Sequence, residues 1–397
     1  MKKDRRKFLG TAATLLSASV AYPSSNFSII NFKKANTVKI GIIGTGSRGM
    51  GLMRILNRIE GVEIIGLCDT LSFRLKDASK ISPNAKKYKN HIALLENKDI
   101  EAIIITTPLS THAKIASDAV DANVHIYCEK TMVKGANETT DLVNKVLKSH
   151  KKIFQTGHQY HSSRLYTHAV ELIKDGKVGK VNSIRAQWNR NGNWRRPVPD
   201  QTLERQINWR MYREYSYGLL AELSSHQIDF ANWLFDSHPD KVTGFGGIDY
   251  WKDGRETYDN THVIYAYPNG VKASYTCLTG NAKDDYKIHV MGDKGTMVLD
   301  YAKAWFYPEG SYTKEYGDVD GVSGATTNWE AGKGIPLDFD HIDPTQQALE
   351  DFRDSVVKGT PTLSDVISGA KVSYAIDMGI RAMDQNKTIE WDPSYNF

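Results

Sequence analysis

The stretch Val38–Gly51, VKIGIIGTGSRGMG, constrains this chain more than any other. It reads as a buried strand, a glycine turn and the first turn of a helix, with Gly44-Thr45-Gly46-Ser47-Arg48-Gly49 at the turn. In a G-x-G-x-x-G of this setting the first glycine permits the tight turn, the second lets a pyrophosphate approach the backbone, and the third lets helix and strand pack closely. The helix N-terminus supplies unpaired N–H groups and a positive dipole end. A lone glycine motif also occurs as an unused turn. Here a second strand follows, Val62–Cys68, and ends in Asp69. An acid at that point accepts hydrogen bonds from a ribose 2′-OH and repels a 2′-phosphate, so the expected cofactor is NAD in preference to NADP.

Residues 38 to 157 alternate apolar strands with amphipathic helices. Strands are expected at Val38–Ile43, Val62–Cys68, Ala102–Thr106, Val124–Cys128 and Ile153–Gly157, and helices at Ser47–Arg58, His112–Ala122 and Asn137–His150. Such a pattern predicts a doubly wound parallel sheet of the Rossmann type. After Gly157 the pattern changes. Helices at Ser163–Lys174 and Leu219–Phe235 flank strands at Val181–Asn189, Thr261–Tyr267, Val271–Thr276 and Lys287–Met291, with Pro268-Asn269-Gly270 as a hairpin turn. Strand runs without alternating helices predict a C-terminal α+β domain with a mainly antiparallel sheet. Residues 308–340, rich in Gly, Tyr and Asp, read as a long loop. Helices at Thr345–Val357 and Leu363–Asp384 close the chain. The expected organisation is therefore an NAD-binding domain over 37–157, a substrate-binding domain over 158–342 and closing helices over 343–397.

The N-terminus is expected to direct export. A basic segment with Arg5-Arg6 precedes a mildly apolar run, Gly10 to Val20, and Ser19-Val20-Ala21 offers small residues for cleavage. That order predicts a twin-arginine signal over 1–21, a linker over 22–36 and a periplasmic mature protein; the apolar run is too short to span a membrane. The twin-arginine route carries folded proteins, as an exported protein that binds a cytoplasmic nucleotide requires. The net charge of +5 on 397 residues is dispersed, with no basic-aromatic module for nucleic acid. Cys68, Cys128 and Cys277 sit in apolar runs, and their odd number and spacing suit neither a disulfide framework nor a metal site. Buried free thiols are expected, and no metal.

Between Ala102 and Lys130, Thr106-Thr107-Pro108 ends one strand and Cys128-Glu129-Lys130 the next. Residues past the carboxyl ends of strands in an open parallel sheet face the ligand crevice. Lys130 is thus placed to meet both cofactor and a substrate hydroxyl. Here the sequence resembles the glucose–fructose oxidoreductase, inositol dehydrogenase and MocA (Gfo/Idh/MocA) family. The family carries the glycine motif, then T-P with a nearby H, then E-K-P. This chain has Gly44–Gly49, Thr107-Pro108 with His112, and Glu129-Lys130, with Thr131 where proline is usual. The resemblance implies cofactor-binding roles for Gly44, Thr45, Gly46, Ser47, Arg48, Gly49, Asp69, Thr107, Pro108, His112, Glu129 and Lys130. It also implies that the C-terminal helices return to the first domain. Identical chains are expected to assemble through the C-terminal sheet.

The family's second signature is an acid, then a histidine four residues on, then an aspartate three further. Glu222, His226 and Asp229 match it at i, i+4 and i+7, one helix face, with Leu220, Leu223, Phe230, Ala231 and Leu234 forming an opposite apolar stripe. The resemblance places that polar face beside the nicotinamide. Upstream, WNRNGNWRRP and INWRMYREYSYG mix Trp188, Trp194 and Trp209 with Arg190, Arg195, Arg196 and Arg210 and with Tyr212, Tyr215 and Tyr217. Aromatic faces pack on sugar rings and arginine donates to hydroxyls or carboxylates, so the mixture suits a carbohydrate site; it suits a subunit interface equally. His158 and Tyr160 are expected in the same cleft, though His158 also reads as a structural histidine. The candidate substrate contacts are His158, Tyr160, Trp188, Arg190, Arg210, Tyr217 and Asp229.

These residues predict hydride transfer between a carbohydrate hydroxyl and NAD. His226 is the expected base, Lys130 polarises the oxygen, and Glu222 orients His226 or the substrate. Outside the cytoplasm free NAD is not expected to be recycled, so the cofactor is expected to stay bound and be restored in place. Two other readings remain: a glycosidase using bound NAD in a redox-neutral oxidation–elimination–hydration cycle, and a non-catalytic sugar-binding protein.

Overall fold

The computed structural model describes residues 37–149, 152–309, 313–316, 327–330, 334–339 and 342–397, with backbone alone for 313–316 and 327–330. The expected signal and linker lie outside the described residues, as do parts of the expected loop over 308–340.

The first half contains β1 (Val38–Ile43), α1 (Ser47–Leu56), β2 (Val62–Cys68), α2 (Ser72–Ala78), β3 (Lys86–Tyr88), α3 (His91–Leu95), β4 (Ala102–Ile105), α4 (His112–Asp121), β5 (His125–Cys128), α5 (Ala136–Ser149) and β6 (Phe154–Thr156). All six strands are parallel, in the order β3-β2-β1-β4-β5-β6. The strand order reverses between β1 and β4, and a crevice opens there at their carboxyl ends. β4 is buried along its whole length and β1 nearly so, because helices cover both faces of the sheet. α2, β3 and α3 escaped the sequence pattern. Each is short, and β3 is an edge strand with two exposed lysines that show no apolar period.

The second half contains α6 (Arg164–Lys174), β7 (Val181–Asn191), α7 (Glu204–Ile207), α8 (Ser225–Phe235), β8 (Lys241–Gly247), β9 (Asn260–Ala266), β10 (Lys272–Leu278), β11 (Gly280–Gly292), β12 (Gly295–Leu299), β13 (Ala304–Pro308), β14 (Thr313–Tyr316), β15 (Thr327–Glu330), β16 (Ile335–Pro336), α9 (Pro344–Lys358), α10 (Val366–Gln385) and β17 (Ile389–Glu390). β14 and β15 pair with each other. The larger sheet runs β16-β13-β12-β11-β7-β10-β9-β8-β17. It is antiparallel except where β7 meets β10. The expected hairpin joins β9 to β10: Gly270 has φ +87° and its N–H donates to the Tyr267 carbonyl at 2.9 Å. Alternation buries one face of the sheet, with Ile184, Ala186, Val263, Tyr265, Ala273 and Tyr275 packing against Tyr166, Ile228, Phe230 and Ile376 of the helices.

The closing helices bind the halves together. α9 sets Leu349 and Phe352 into the core of β1 and α1, and Gln155 on β6 donates to the Ala348 carbonyl at 2.9 Å. α10 serves both cores. Ala370 and Tyr374 pack with Ile126 and Leu142 of the first half, while Val372, Ile376 and Met383 pack with the second. Gly369 permits this contact, since a Cβ there would stand 2.4 Å from the Thr156 hydroxyl. The expected helix over Leu219–Phe235 divides into a π-helical turn, Leu220–Ser224, and α8.

Close packing at the glycine turn gives the first prediction. A Cβ on Gly49 would stand 2.1 Å from the Gly44 carbonyl oxygen and 2.9 Å from the Thr106 hydroxyl. Overpacking of this kind costs about 1–3 kcal/mol. Gly49→Ala should lower the melting temperature and the nucleotide content together; an unchanged melting temperature would contradict this packing.

Candidate active site

The crevice at the strand ends is a cavity of about 1130 Å³. One wall holds Gly44, Gly46, Ser47, Arg48, Asp69, Thr107 and Pro108; Gln201, Arg205, Gln206, Trp209 and Tyr215 from the second half form the other. Gly44 has φ +96° and lies against the Thr106 backbone, where a Cβ would stand 2.7 Å from the carbonyl carbon. A Cβ on Gly46 would meet only the Arg74 side chain, at 3.5 Å, so the backbone there is open to a bulky group. No side chain caps α1, so its first N–H groups are free for an anion. The cradle fits a dinucleotide.

Asp69 is braced for its task. Its Oδ2 accepts from the Thr45 N–H at 2.8 Å and the Thr45 hydroxyl at 3.2 Å, and its Oδ1 accepts from the Leu71 N–H at 2.9 Å. Thr45 is therefore an orienting residue behind the cleft wall and Gly49 a packing residue; neither lines the cleft. Arg74 and Gln206 line it and were not singled out in the sequence. Gln206 donates to the Thr70 hydroxyl at 2.7 Å, and the Ser110 N–H donates to the Tyr215 carbonyl at 3.0 Å, which closes the segment over the cleft. An Arg in the first turn of the helix that follows Asp69 was the available signal for the first; nothing local marked the second.

A smaller cavity of about 310 Å³ shares Arg48, Thr107, Arg196, Trp209 and Arg210 with the crevice and adds His112, Glu129, Lys130, Gln159, Trp188, Arg190, Trp194, Glu222 and His226. Lys130 follows a β5 strand end, and the Lys130–Thr131 peptide is cis. Lys130 Nζ donates to the Glu222 carbonyl at 2.6 Å, and the Thr131 hydroxyl to the Ala221 carbonyl at 2.9 Å. Both acceptors belong to the π-helical turn. The His112 ring lies 3.1 Å from the Thr131 carbonyl and 3.0 Å from the Thr107 carbonyl, so it braces the cavity floor. Glu129 pairs with Arg48 at 2.7 Å.

Burial governs the protonation of this site. Burial, and then the Lys130 charge, holds the His226 imidazole well below its ordinary 6.5. Its Nδ1 is walled off without a protein partner, and the ring sits 5.5 Å from those of Trp188 and Tyr160 and 5.9 Å from His158. Burial also lowers Lys130 from 10.5, against the pull of Glu222 and Glu129.

Several expected substrate contacts lie elsewhere. Asp229 is buried 2.9 Å from His161 Nε2 and 3.8 Å from His158 Nδ1, outside the cavity. Three residues past His226 an α-helix falls roughly 60° short of a full turn, which aims Asp229 at the segment after β6. His158 and Tyr160 stand behind the wall, Tyr160 stacked on Tyr166 at 4.3 Å; Gln159 takes their place in the lining. Tyr217 turns away and donates to Asp377 on α10 at 3.0 Å. Glu222 does not orient His226: its carboxylate accepts from Arg210 Nε and the Ser216 hydroxyl, each at 2.9 Å. The polar face is buried, not solvated. Trp188, Arg190 and Arg210 line the cavity as expected. Among the described residues no cluster of His, Cys, Asp or Glu is arranged to hold a metal ion, and no helix is long and apolar enough to cross a membrane.

The braced Asp69 gives the second prediction. Asp69→Ala should weaken NAD by about 10–100-fold, the loss expected for a charged hydrogen bond, and should narrow or invert the preference over NADP in fluorescence titrations. Wild-type protein binding NADP more tightly than NAD would refute the role.

Comparison with known proteins agrees with this architecture. Residues 38–158 match the oxidoreductase family with the NAD-binding Rossmann fold, and residues 166–298 match the Gfo/Idh/MocA C-terminal domain. The inositol 2-dehydrogenase of Salmonella typhimurium is 28% identical over 203 residues, which is 50% of this chain and 55% of that protein. The chain thus aligns with about half the length of such relatives. The 2,7-anhydro-N-acetylneuraminate hydratase of Mediterraneibacter gnavus is 27% identical over 267 residues, 66% of this chain and 67% of that protein. Among solved structures, levoglucosan dehydrogenase in complex with NADH and L-sorbose superposes with a TM-score of 0.73 at 15% identity, covering 91% of this chain and 100% of that one. Myo-inositol 2-dehydrogenase from Lactobacillus plantarum gives 0.70 at 17%, covering 90% and 100%. At such identities the structures establish the shared fold. With the glycine cradle, the braced acid and the two domain matches in order along it, the chain belongs to the NAD-binding Gfo/Idh/MocA oxidoreductase family.

Proposed function

We propose that this protein is an NAD-dependent oxidoreductase acting on a secondary hydroxyl of a sugar or sugar derivative. The observation that carries the reading is the shared wall between the dinucleotide crevice and a smaller cavity holding Lys130 and His226. NAD, held by the glycine turn and Asp69, would supply the acceptor for the hydride of the carbinol carbon as the alcohol becomes a carbonyl. His226 receives the hydroxyl proton; its depressed affinity keeps it neutral and ready at neutral pH. Lys130 donates to the same oxygen and stabilises the negative charge that develops there. Arg210, held by Glu222, and the Trp188, Trp194 and Trp209 rings line the space for the sugar. Relatives named as inositol 2-dehydrogenases support a polyhydroxylated substrate.

Export by the twin-arginine route is part of the proposal, supported by Arg5-Arg6 and the run that follows. The segment closed over the crevice favours a cofactor that stays bound. A pairing of identical chains is supported by Phe245 and Ile264, which stand exposed on the outer face of the large sheet. A second reading, the redox-neutral cycle, draws support from the relative named as a hydratase.

The third prediction separates these readings. Dialysed protein given one sugar should reduce its bound nucleotide once and stop, and a second, oxidised sugar should restart it. Continuous release of an aglycone, with solvent deuterium entering beside the oxidised carbon, would favour the redox-neutral cycle. Lys130→Met and His226→Ala should each cost roughly 10²–10⁴-fold in kcat while retaining nucleotide; near-normal turnover by either variant would remove that residue from the chemistry.

The fourth concerns pH. The base must be unprotonated, and its affinity for the proton is lowered, so the acid limb of kcat/KM should lie below 6.5. Lys130 must be protonated, and its affinity is lowered too, so the alkaline limb should lie below 10.5. An acid limb that His226→Ala leaves in place would assign it to another group.

A further inference from the structure

The smaller cavity has an unbalanced charge. Its acids are already engaged, Glu129 by Arg48 at 2.7 Å and Glu222 by Arg210 at 2.9 Å. Lys130 reaches only a neutral carbonyl. The guanidinium groups of Arg190 and Arg196 have no carboxylate partner among the described residues, and both face the cavity. The neighbouring Arg195 shows the contrast: it pairs with Glu204 and Asp253 and stays out of the cavity.

Arg190 is also held in place. Its guanidinium lies 5.1 Å from the Trp188 ring and 5.6 Å from the Trp194 ring. Stacking of this kind leaves the edge donors of the fork free. Trp194 itself is held at φ +66°, a backbone conformation a bulky residue rarely adopts, and one that persists where the surroundings impose it. Arg190 lines the smaller cavity but not the crevice, so it is not serving the phosphates of the dinucleotide. Arg196 lines both. Burial and the nearby Arg210 and Arg74 depress Arg196, a sign of positive charge that the protein leaves uncompensated.

We propose that the substrate carries an anionic substituent, a carboxylate or a sulfate ester, which Arg190 anchors in the part of the smaller cavity that the crevice does not share, while Arg196 on the shared wall adds positive charge. The inference rests on the sugar-oxidoreductase reading of the same cavity and names its substrate class. A neutral hydroxyl leaves the two guanidinium charges unpaired. A carboxylate or a sulfate ester accepts from the fork through two bonds and offsets that charge.

The test uses nucleotide-loaded protein and a panel in which hexuronates, aldonates and hexose sulfates each stand beside their neutral parent. Binding is read by calorimetry and turnover by reduction of the bound nucleotide. Anionic members should bind about 10–100-fold more tightly than their parents, the range for a charge-assisted hydrogen bond, and salt should weaken them. The uronates and the sulfates separate the two anion chemistries. Arg190→Gln should raise KM for the anionic member about tenfold or more with little change in kcat, while shifting the neutral parent far less, and Arg190→Lys should restore part of the loss. Retained nucleotide shows that the variants are folded. Neutral sugars bound as tightly as the anions, equal effects of Arg190→Gln on both, or no binding by any anion would overturn the proposal. Neutral sugars oxidised independently of Arg190 would sink it and leave the oxidoreductase reading standing. Arg190-dependent anion binding with no oxidation would do the reverse.

Discussion

The candidate active site depends on one seam. Lys130 and Thr131, at the end of β5, donate to the carbonyls of Glu222 and Ala221 in the π-helical turn before α8. A π turn spaces its backbone acceptors differently from an α-helix, so these carbonyls are available to a neighbour. Through those two bonds the first half of the protein sets its lysine against the second half's histidine. His112 supports the seam from below, its ring wedged between the Thr131 and Thr107 carbonyls at 3.1 and 3.0 Å. α10 supports it from behind, with Val133 donating to Ser373 at 3.2 Å and Tyr265 donating to the Ala375 carbonyl at 2.8 Å. Lys130 and His226 therefore sit on packed elements, and their spacing is set by packing on both sides.

Burial then sets the chemistry. A histidine in water holds its proton near pH 6.5; His226, enclosed by Trp188, Tyr160 and His158, does not. The carboxylates nearby do not reverse this, because Asp229 lies behind the wall with His161, and Glu222 is committed to Arg210 and Ser216. The same enclosure lowers Lys130. One low-dielectric pocket thus leaves a neutral imidazole beside a weakened ammonium, a pair suited to accepting and donating at a single oxygen.

The dinucleotide cradle was legible because its constraints are local. Gly44, Gly46 and Gly49 answer to a backbone that turns, opens and packs within a few residues, and Asp69 follows from the end of the next strand. Five of the six parallel strands followed from apolar runs alternating with amphipathic helices. Short polar elements such as β3 left no period to read. Glu222 and His226 were found through the resemblance to the family's signature, with their helical spacing in support, and both reach the cavity. Asp229, at the same nominal face, does not, because three residues along α8 fall short of a full turn from His226 and the segment after β6 supplies a histidine to meet it.

Arg190 and Arg195 look alike in the sequence, two cations in one aromatic stretch. Only the fold separates them: Glu204, nine residues on, and Asp253, far along the chain, neutralise Arg195, and among the described residues no acid pairs with Arg190. Tyr217 and Tyr160 were equally plausible as sugar platforms until α10 and α6 claimed them. The sequence by itself determined the parallel sheet, the glycine cradle, the acid at the end of β2 and the residue types of the site, since each rests on periodicity or on short-range backbone geometry. The tertiary structure decided which polar groups are buried, which charges are paired and which side chains share a cavity. Those properties depend on residues far apart in the chain, and no local pattern records who their neighbours will be.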